Sequence, residues 1–221
     1  MSRKVAAGHP AAIELFTRDG ASVRVRPILP SDKDRLREAF HRLSMESRIR
    51  RFMAPVAELT EGQLRYLTEI DYRDHMAWVA LDPSAPEMPG IGVARYVRLP
   101  GEPSVAEAAV AVADEWQGRG VGTILIGLLT LSASEMGITT FRAYVLEENR
   151  PMLEILPGLG ARVSREEAGV VRVDAPVLAE PEDIPDTPTG RVFKAVARRV
   201  IPPFAIGQRW LHHPGRIVPE R

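Results

Sequence analysis

Cysteine is absent from this 221-residue chain. That excludes disulfides, a thiolate nucleophile, and zinc or iron–sulfur sites built on cysteine. An excess of one charge is absent too. Lys+Arg and Asp+Glu number 29 each, so the molecule as a whole is no electrostatic reader of nucleic acid. No apolar run reaches the roughly 18 residues of a membrane span. The longest uncharged stretch, between Arg119 and Glu135, reads instead as a buried helix. Residues Met1 to Pro10 lack the apolar core of a signal peptide. Together these traits lead to the expectation of a cytoplasmic protein with no stable membrane association. The five histidines (His9, His41, His75, His212 and His213) show no ligand spacing, and no H-E-x-x-H occurs, so no metal is expected. Absence of G-x-S-x-G argues against a serine hydrolase elbow.

What is present is an ordinary globular composition, 45% hydrophobic and 26% charged. A lead-in, 1–20, holds at most a short strand at Ala12–Phe16. Ser22–Pro27 alternates valine with arginine, the period of a half-buried strand. Pro30–Asp32 opens a helix with Ser31 as its expected N-cap, and Leu36, Phe40 and Leu43 form its apolar stripe. Helices follow at Ser44–Met53 and at Thr60–Leu67, the latter capped by Thr60. Arg48, Arg50 and Arg51 read as a solvated helix face. Strands are predicted at Met76–Leu81, Ile91–Arg98 and Ala106–Ala113, separated by short Pro/Gly returns that suit antiparallel neighbours. Trp78 and Tyr96 on these strands read as core or site wall. A glycine turn at Gly118–Gly122 then leads into the uncharged helix. A strand at Thr140–Val145, a short helix from Pro151, and a hairpin of Ala161–Val163 with Val170–Val173 complete a domain at 21–175. Residues 176–190, with four prolines from Pro176 to Pro188, read as an acidic linker without packed structure. The tail, 191–221, carries Arg191, Lys194 and Arg198 on one helical face and Val192, Val196 and Val200 on another. It is expected to pack on its own domain or on a dimer mate, or to stay loose; a homodimer is left open.

The chemistry concentrates between Ala106 and Thr123. A strand of small residues runs through a glycine turn into a helix N-terminus, where unpaired N–H groups carry positive partial charge. Glycines let such a backbone approach a pyrophosphate closely. The dinucleotide fingerprint G-x-G-x-x-G fails, because Thr123 stands where the third glycine belongs. No G-K-[S/T] follows, so the nucleoside triphosphate loop fails as well. Q-x-x-G-x-G does match, in Gln117, Gly120 and Gly122.

On those residues, in this strand–turn–helix setting, the chain resembles the GNAT N-acetyltransferase superfamily over about Ser22 to Val173. The resemblance implies an α/β (α+β) fold: a mixed, mostly antiparallel central sheet of six to seven strands flanked by helices. It implies acetyl-CoA as co-substrate. Backbone groups of Val110 and Val112 would meet the pantetheine arm. The turn of Gln117, Gly118, Arg119, Gly120, Gly122 and Thr123 would hold the pyrophosphate, and Asn149 would bond the pantetheine. The chain departs from the family pattern where a tyrosine often protonates the leaving thiolate; that position is Leu156. The family's common Gly-Phe reads Gly160–Ala161.

Glu107 is the candidate general base. An amine must lose a proton to attack a thioester, since a lysine amine has a pKa of roughly 10.4. A carboxylate within an alanine-rich strand is expensive to bury unless it works or is paired, and desolvation would make it a better base. The alternative is a surface acid or an ion-pair partner of an arginine such as Arg95. The segment Ala106–Gly122 and the helix Leu43–Phe52 closely resemble the catalytic domain of bacterial protein lysine acetyltransferases that modify acyl-CoA synthetases. That implies a protein lysine as the favoured acceptor and the matching glutamate as base. A small-molecule amine acetyltransferase and a non-catalytic acyl-CoA-binding regulatory protein stay open as alternatives. Without cysteine, direct transfer in a ternary complex is the expected mechanism.

Overall fold

The computed structural model describes residues 12–200 except 168, 179–181 and 185. Eight strands form one sheet: β1 (Ile13–Phe16), β2 (Ser22–Pro27), β3 (His75–Leu81), β4 (Gly90–Leu99), β5 (Glu102–Val112), β6 (Thr140–Leu146), β7 (Arg162–Glu167) and β8 (Val170–Pro176). Their order is β1-β2-β3-β4-β5-β6-β8-β7. Neighbours are antiparallel except β5 and β6, which run parallel. The sheet exceeds the expected six to seven strands because the lead-in supplies one. Ile13 and Leu15 alternate with Glu14 and Phe16, β1 pairs with β2, and Leu15 is buried.

Six α-helices flank the sheet: α1 (Lys33–Arg42), α2 (Met45–Phe52), α3 (Glu61–Thr68), α4 (Val121–Glu135), α5 (Arg150–Ile155) and α6 (Pro188–Val200). Residues opposite each other on paired strands share a face of the sheet. One face presents Trp78, Ala94, Tyr96 and Ala108 to α4, forming the main core with Leu125, Leu128 and Leu129. Each such fully buried side chain stabilises by roughly 1.5–3 kcal/mol. Trp78 Nε1 donates to Ser132 Oγ at 3.0 Å, so the indole enters the core with its donor satisfied. The other face presents His75, Ala77, Val93, Arg95, Glu107 and Ala109 toward the side on which α1 and α2 pack.

Local caps explain the helix starts. Ser44 accepts from the Ser47 N–H ahead of α2, and Thr60 with Gln63 forms a capping box ahead of α3. Ser31 is not the cap of α1. A 3-10 turn at Pro30–Asp32 precedes that helix, and the Asp32 carboxylate accepts from Leu29 N–H, Arg26 and Arg35 instead. Asp32 stands at the N-cap position of α1, but its buried carboxylate makes no capping bond to that helix and is spent on the arginines and on Leu29 N–H.

Residues 176–190 are more engaged than their proline content suggests. Ile184 is 4% exposed, and Thr187 Oγ1 donates to Gly158 O at 3.2 Å. Beyond them α6 lies on α4. A Cβ on Gly127 would stand 3.5 Å from both Phe193 and Val196, so the glycine lets the two helices approach. Phe204, Trp210 and Leu211 of the tail, and His9, His212 and His213, lie outside the described residues. Among the described residues no helix is long and apolar enough to cross a membrane, and no group of three or more His/Asp/Glu could hold a metal.

Candidate active site

The site arises where two parallel strands part. β5 and β6 pair only at Val105, Ala106 and Glu107 with Thr140, Phe141 and Arg142. Yet β5 continues to Val112 and β6 to Leu146. From Ala108 onward the β5 edge facing β6 therefore has no strand partner there, and buried backbone groups left so must find a partner. The gap opens into a cleft of about 550 Å³. Its walls include Ala108–Val112 of β5, Ala143–Val145 of β6, and Phe193 of α6.

At the mouth of this fork sits the glycine turn. Gly118 (φ +70°) and Gly120 (φ +96°) occupy the left-handed region that side-chain-bearing residues rarely adopt. Gly120 is the N-cap of α4, and no side chain caps this end, so the first-turn N–H groups lack intrahelical partners. Gly118, Gly120, Gly122 and Thr123 all line the cleft. A Cβ on Gly122 would lie 3.5 Å from Val112 and 3.8 Å from Val110, so the helix N-terminus abuts the unpaired part of β5. The fork and the dipole of α4 thus converge: an extended arm fits between the strands, and an anionic group fits at the helix end.

Gln117 has a second occupation. Its amide NH2 donates to Val112 O (3.1 Å), Ser47 Oγ (3.1 Å) and Asp114 Oδ1 (3.2 Å). The Asp114 carboxylate also accepts from Ser44 N–H and from the hydroxyls of Ser44 and Ser47. Burial works to raise the Asp114 pKa, but the bonds from Ser47 and Ser44 outweigh it and hold the carboxyl below its ordinary value. This network bolts the start of α2 to the turn and fixes its position over the fork.

Arg119 is likewise tethered. Its guanidinium pairs with Asp19 at 2.7 Å and stacks 4.0 Å from the Trp116 ring, while its carbonyl accepts from Arg18 N–H. That contact brings the Arg18 side chain against Gly120 and into the cleft. Sequence reasoning missed Arg18, because only the β1–β2 turn, folded onto a residue 101 positions later, places it there. Asn149 caps α5, accepting from Met152 N–H at 3.4 Å, and lines the cleft with its amide NH2 unpartnered. Leu156 also reaches the cleft, but it is buried against Val145, Val171 and Val173. Tyr144, on β6, is a further cleft residue that periodicity alone does not distinguish.

Glu107 sits at the apex, the last β5 residue paired with β6. It is exposed rather than buried among the alanines, because pairing ends at that point and nothing covers the side chain. It makes no ion pair within 4 Å, and Arg95 is not its partner. Arg95 Nη1 bonds His75 Nε2 at 3.0 Å and Arg95 Nη2 donates to Leu67 O at 3.2 Å. A guanidinium can only donate, so His75 accepts there as the neutral ring. Burial, then the charge of Arg95, pulls the His75 pKa down to about 4.

The arginines of α2 are not a solvated face. Arg48 donates to the carbonyls of Leu43, Ala57 and His41 and lies over the Phe40 ring. Arg50 pairs with Glu46. Arg51 turns inward, lines the cleft, and feels the charge of Glu107.

Comparison with known proteins follows the same lines. The family model described as "Acetyltransferase (GNAT) domain" matches residues 22–162. Acetyltransferase Pat of Mycolicibacterium smegmatis is 37% identical over 206 residues, 90% of this chain; the chain spans 61% of that protein's length. The GNAT domain of S. lividans PAT superposes with a TM-score of 0.69 at 31% identity, covering 76% of this chain and 99% of that one. A cAMP-binding acyltransferase from Mycobacterium smegmatis gives a TM-score of 0.57 at 33% identity, covering 86% of this chain and 55% of that one.

Proposed function

Because the chain belongs to the GNAT acetyltransferase domain family, we propose that it transfers an acetyl group from acetyl-CoA to an amine, with a protein lysine as the favoured acceptor. The observation that carries this reading is the β5–β6 fork, which starts beyond Glu107, the last paired residue of β5, and opens onto the glycine turn. Acetyl-CoA supplies an activated thioester. The N–H groups of the turn from Gly118 to Thr123 hold its pyrophosphate, with Arg18 and Arg119 adding positive charge. The free β5 edge at Val110 and Val112 receives the pantetheine as an added strand would be received, and the Asn149 amide donates to it. Gln117 contributes by fixing the turn to β5 and α2.

In the reaction the amine nitrogen forms a bond to the thioester carbonyl carbon and the carbon–sulfur bond breaks. The proton lost by the amine passes to the Glu107 carboxylate, directly or through one water. The thiolate leaves with a pKa near the ordinary thiol value, roughly 8.5, so water serves to protonate it where the family's tyrosine is replaced by Leu156. Absence of cysteine leaves direct transfer, in which positioning contributes most of the acceleration. The lysine preference rests on the resemblance of Ala106–Gly122 and Leu43–Phe52 to bacterial protein lysine acetyltransferases. The cytoplasm is the proposed setting, with which the absence of cysteine is compatible.

The test is thiol release from acetyl-CoA with a panel of amines and with a protein extract, followed by tracing labelled acetyl. Label on protein bands supports lysine as acceptor. Label on small amines alone replaces it by a metabolite. Tight acetyl-CoA binding with no thiol release across all acceptors would leave a non-catalytic binding protein.

A further inference from the structure

Many of the described arginines meet carboxylates or carbonyls, among them Arg26, Arg35, Arg48, Arg98 and Arg142. Two on the acceptor face are not matched by any carboxylate within 4 Å: Arg51 and Arg95. Arg95 is 5% exposed and lies mid-strand on β4 between Ala77 and Ala109. Its two bonds go to a neutral histidine and a carbonyl, and its Nε is buried without a partner. Arg51 lies against the Phe52 ring, 4.9 Å from its guanidinium carbon, and makes no hydrogen bond or ion pair among the described residues. Both line one small pocket, about 70 Å³, between this face of the sheet and α1–α3. Arg51 also borders the main cleft.

Two like charges held close in an apolar pocket are costly unless a counter-charge joins them. The strain registers on both groups. Burial, then the neighbouring Arg51, pulls the Arg95 pKa down to about 9. Burial lowers Arg51 too, and the charge of Glu107 only partly restores it. Glu107 reaches neither as an ion-pair partner. A carboxylate or a comparable planar anion fits this vacancy in charge, and an arginine fork binds carboxylate with two parallel bonds.

Resting on the acetyl-transfer reading, we propose that Arg51 and Arg95 form an anion subsite that takes a carboxylate carried beside the acceptor amine, an acidic side chain neighbouring the target lysine. Arg51 bridges the subsite and the cleft, so the acid docks on the α2 side while the amine faces Glu107. The subsite then selects lysines in acidic surroundings. It also keeps Glu107 free, because the two cations meet the acceptor's carboxylate rather than the base. His75, neutral and bonded to Arg95, orients the guanidinium.

The test has a binding arm and a turnover arm, both on the full chain. In the first, glutarate is titrated while the arginine Nε–H signals are followed by nitrogen-15 NMR. Saturable movement of the Arg51 and Arg95 signals at millimolar ligand is expected, weakened about tenfold in Arg51→Gln. Arg51→Lys should retain part of the affinity. No saturable movement up to about 50 mM, a range that reaches even weak binding, overturns the subsite. So does a response that Arg51→Gln leaves intact.

In the second arm, paired peptides place Glu or Gln next to one lysine. The Glu peptide should have a KM about tenfold lower, with kcat little changed, and Arg51→Gln should erase that preference. Equal KM values in the wild-type chain overturn the assignment. Acetylation of free glutamate with neither peptide used keeps the carboxylate site and overturns the protein lysine. If glutarate binds as expected while no acceptor releases thiol, the acetyl-transfer reading fails and the anion subsite stands.

Discussion

Glu107 marks the limit of what a side chain's sequence neighbours can tell. Alanines flank it on β5, yet it is exposed at the point where β5 and β6 part. In the proposed reaction Glu107 serves as base through that position and not through burial. Glu107→Gln keeps the shape and removes the proton acceptor, so turnover near neutral pH should fall by about 10²–10⁴-fold while acetyl-CoA affinity stays unchanged. Thiol-release kinetics beside a binding isotherm check both halves of that statement. His75 gives a second prediction. Its pKa in the fold, about 4, lies below the ordinary 6.5. Between those values the unfolded chain binds more protons than the folded one, so stability rises with pH across that window and is lost as pH falls through it. Protonation would also set a cation against Arg95. The melting temperature should drop between about pH 7 and about pH 5, the interval in which an ordinary histidine begins to titrate. His75→Gln, measured alongside, should flatten that drop.

At the scale of elements, α4 and its glycine turn join fold to function. Gly120 caps α4 at φ +96°. Gly120→Ala places a Cβ in a left-handed residue, costing roughly 1–2 kcal/mol, and tilts the N–H groups that face the cleft. Urea unfolding should show the loss of stability, and acetyl-CoA titration a weaker Kd. The turn was legible because glycine spacing is local. The capping of α3 by Thr60 was legible for the same reason. The cap of α1 was not, since Asp32 is held by Arg26 from β2 and spacing does not encode that contact. The seat of α6 is similar. Its apolar face was visible, but the partner, Gly127 on α4, lies more than sixty residues earlier. Phe193 is 6% exposed and also forms a wall of the cleft. Phe193→Ala should therefore cost about 3 kcal/mol of stability and raise the KM for acetyl-CoA. A normal KM in a destabilised variant would confine Phe193 to packing.

Across the whole molecule, strand existence was readable from alternation, and the antiparallel run from β3 to β5 from short returns between strands. The fork was not readable. It depends on how β6 lies against β5 after α4 crosses over, and only three residue pairs hold the two strands together. The inward turn of Arg51 and the unmatched charge of Arg95 were hidden too, because their surroundings come from three helices and three strands distant in sequence. What the fold assembles is one cleft with the glycine turn at its mouth and, where the two strands part, the Glu107 carboxylate; the proposed function assigns coenzyme binding to the turn and proton removal to the carboxylate. Calorimetric titration of the chain with coenzyme A tests that assembly most directly, repeated with Gly120→Ala. The account predicts one site per chain with a Kd in the micromolar range, about −8 kcal/mol, weakened in the variant. An absence of heat at millimolar coenzyme A, or equal binding by the variant, would contradict it.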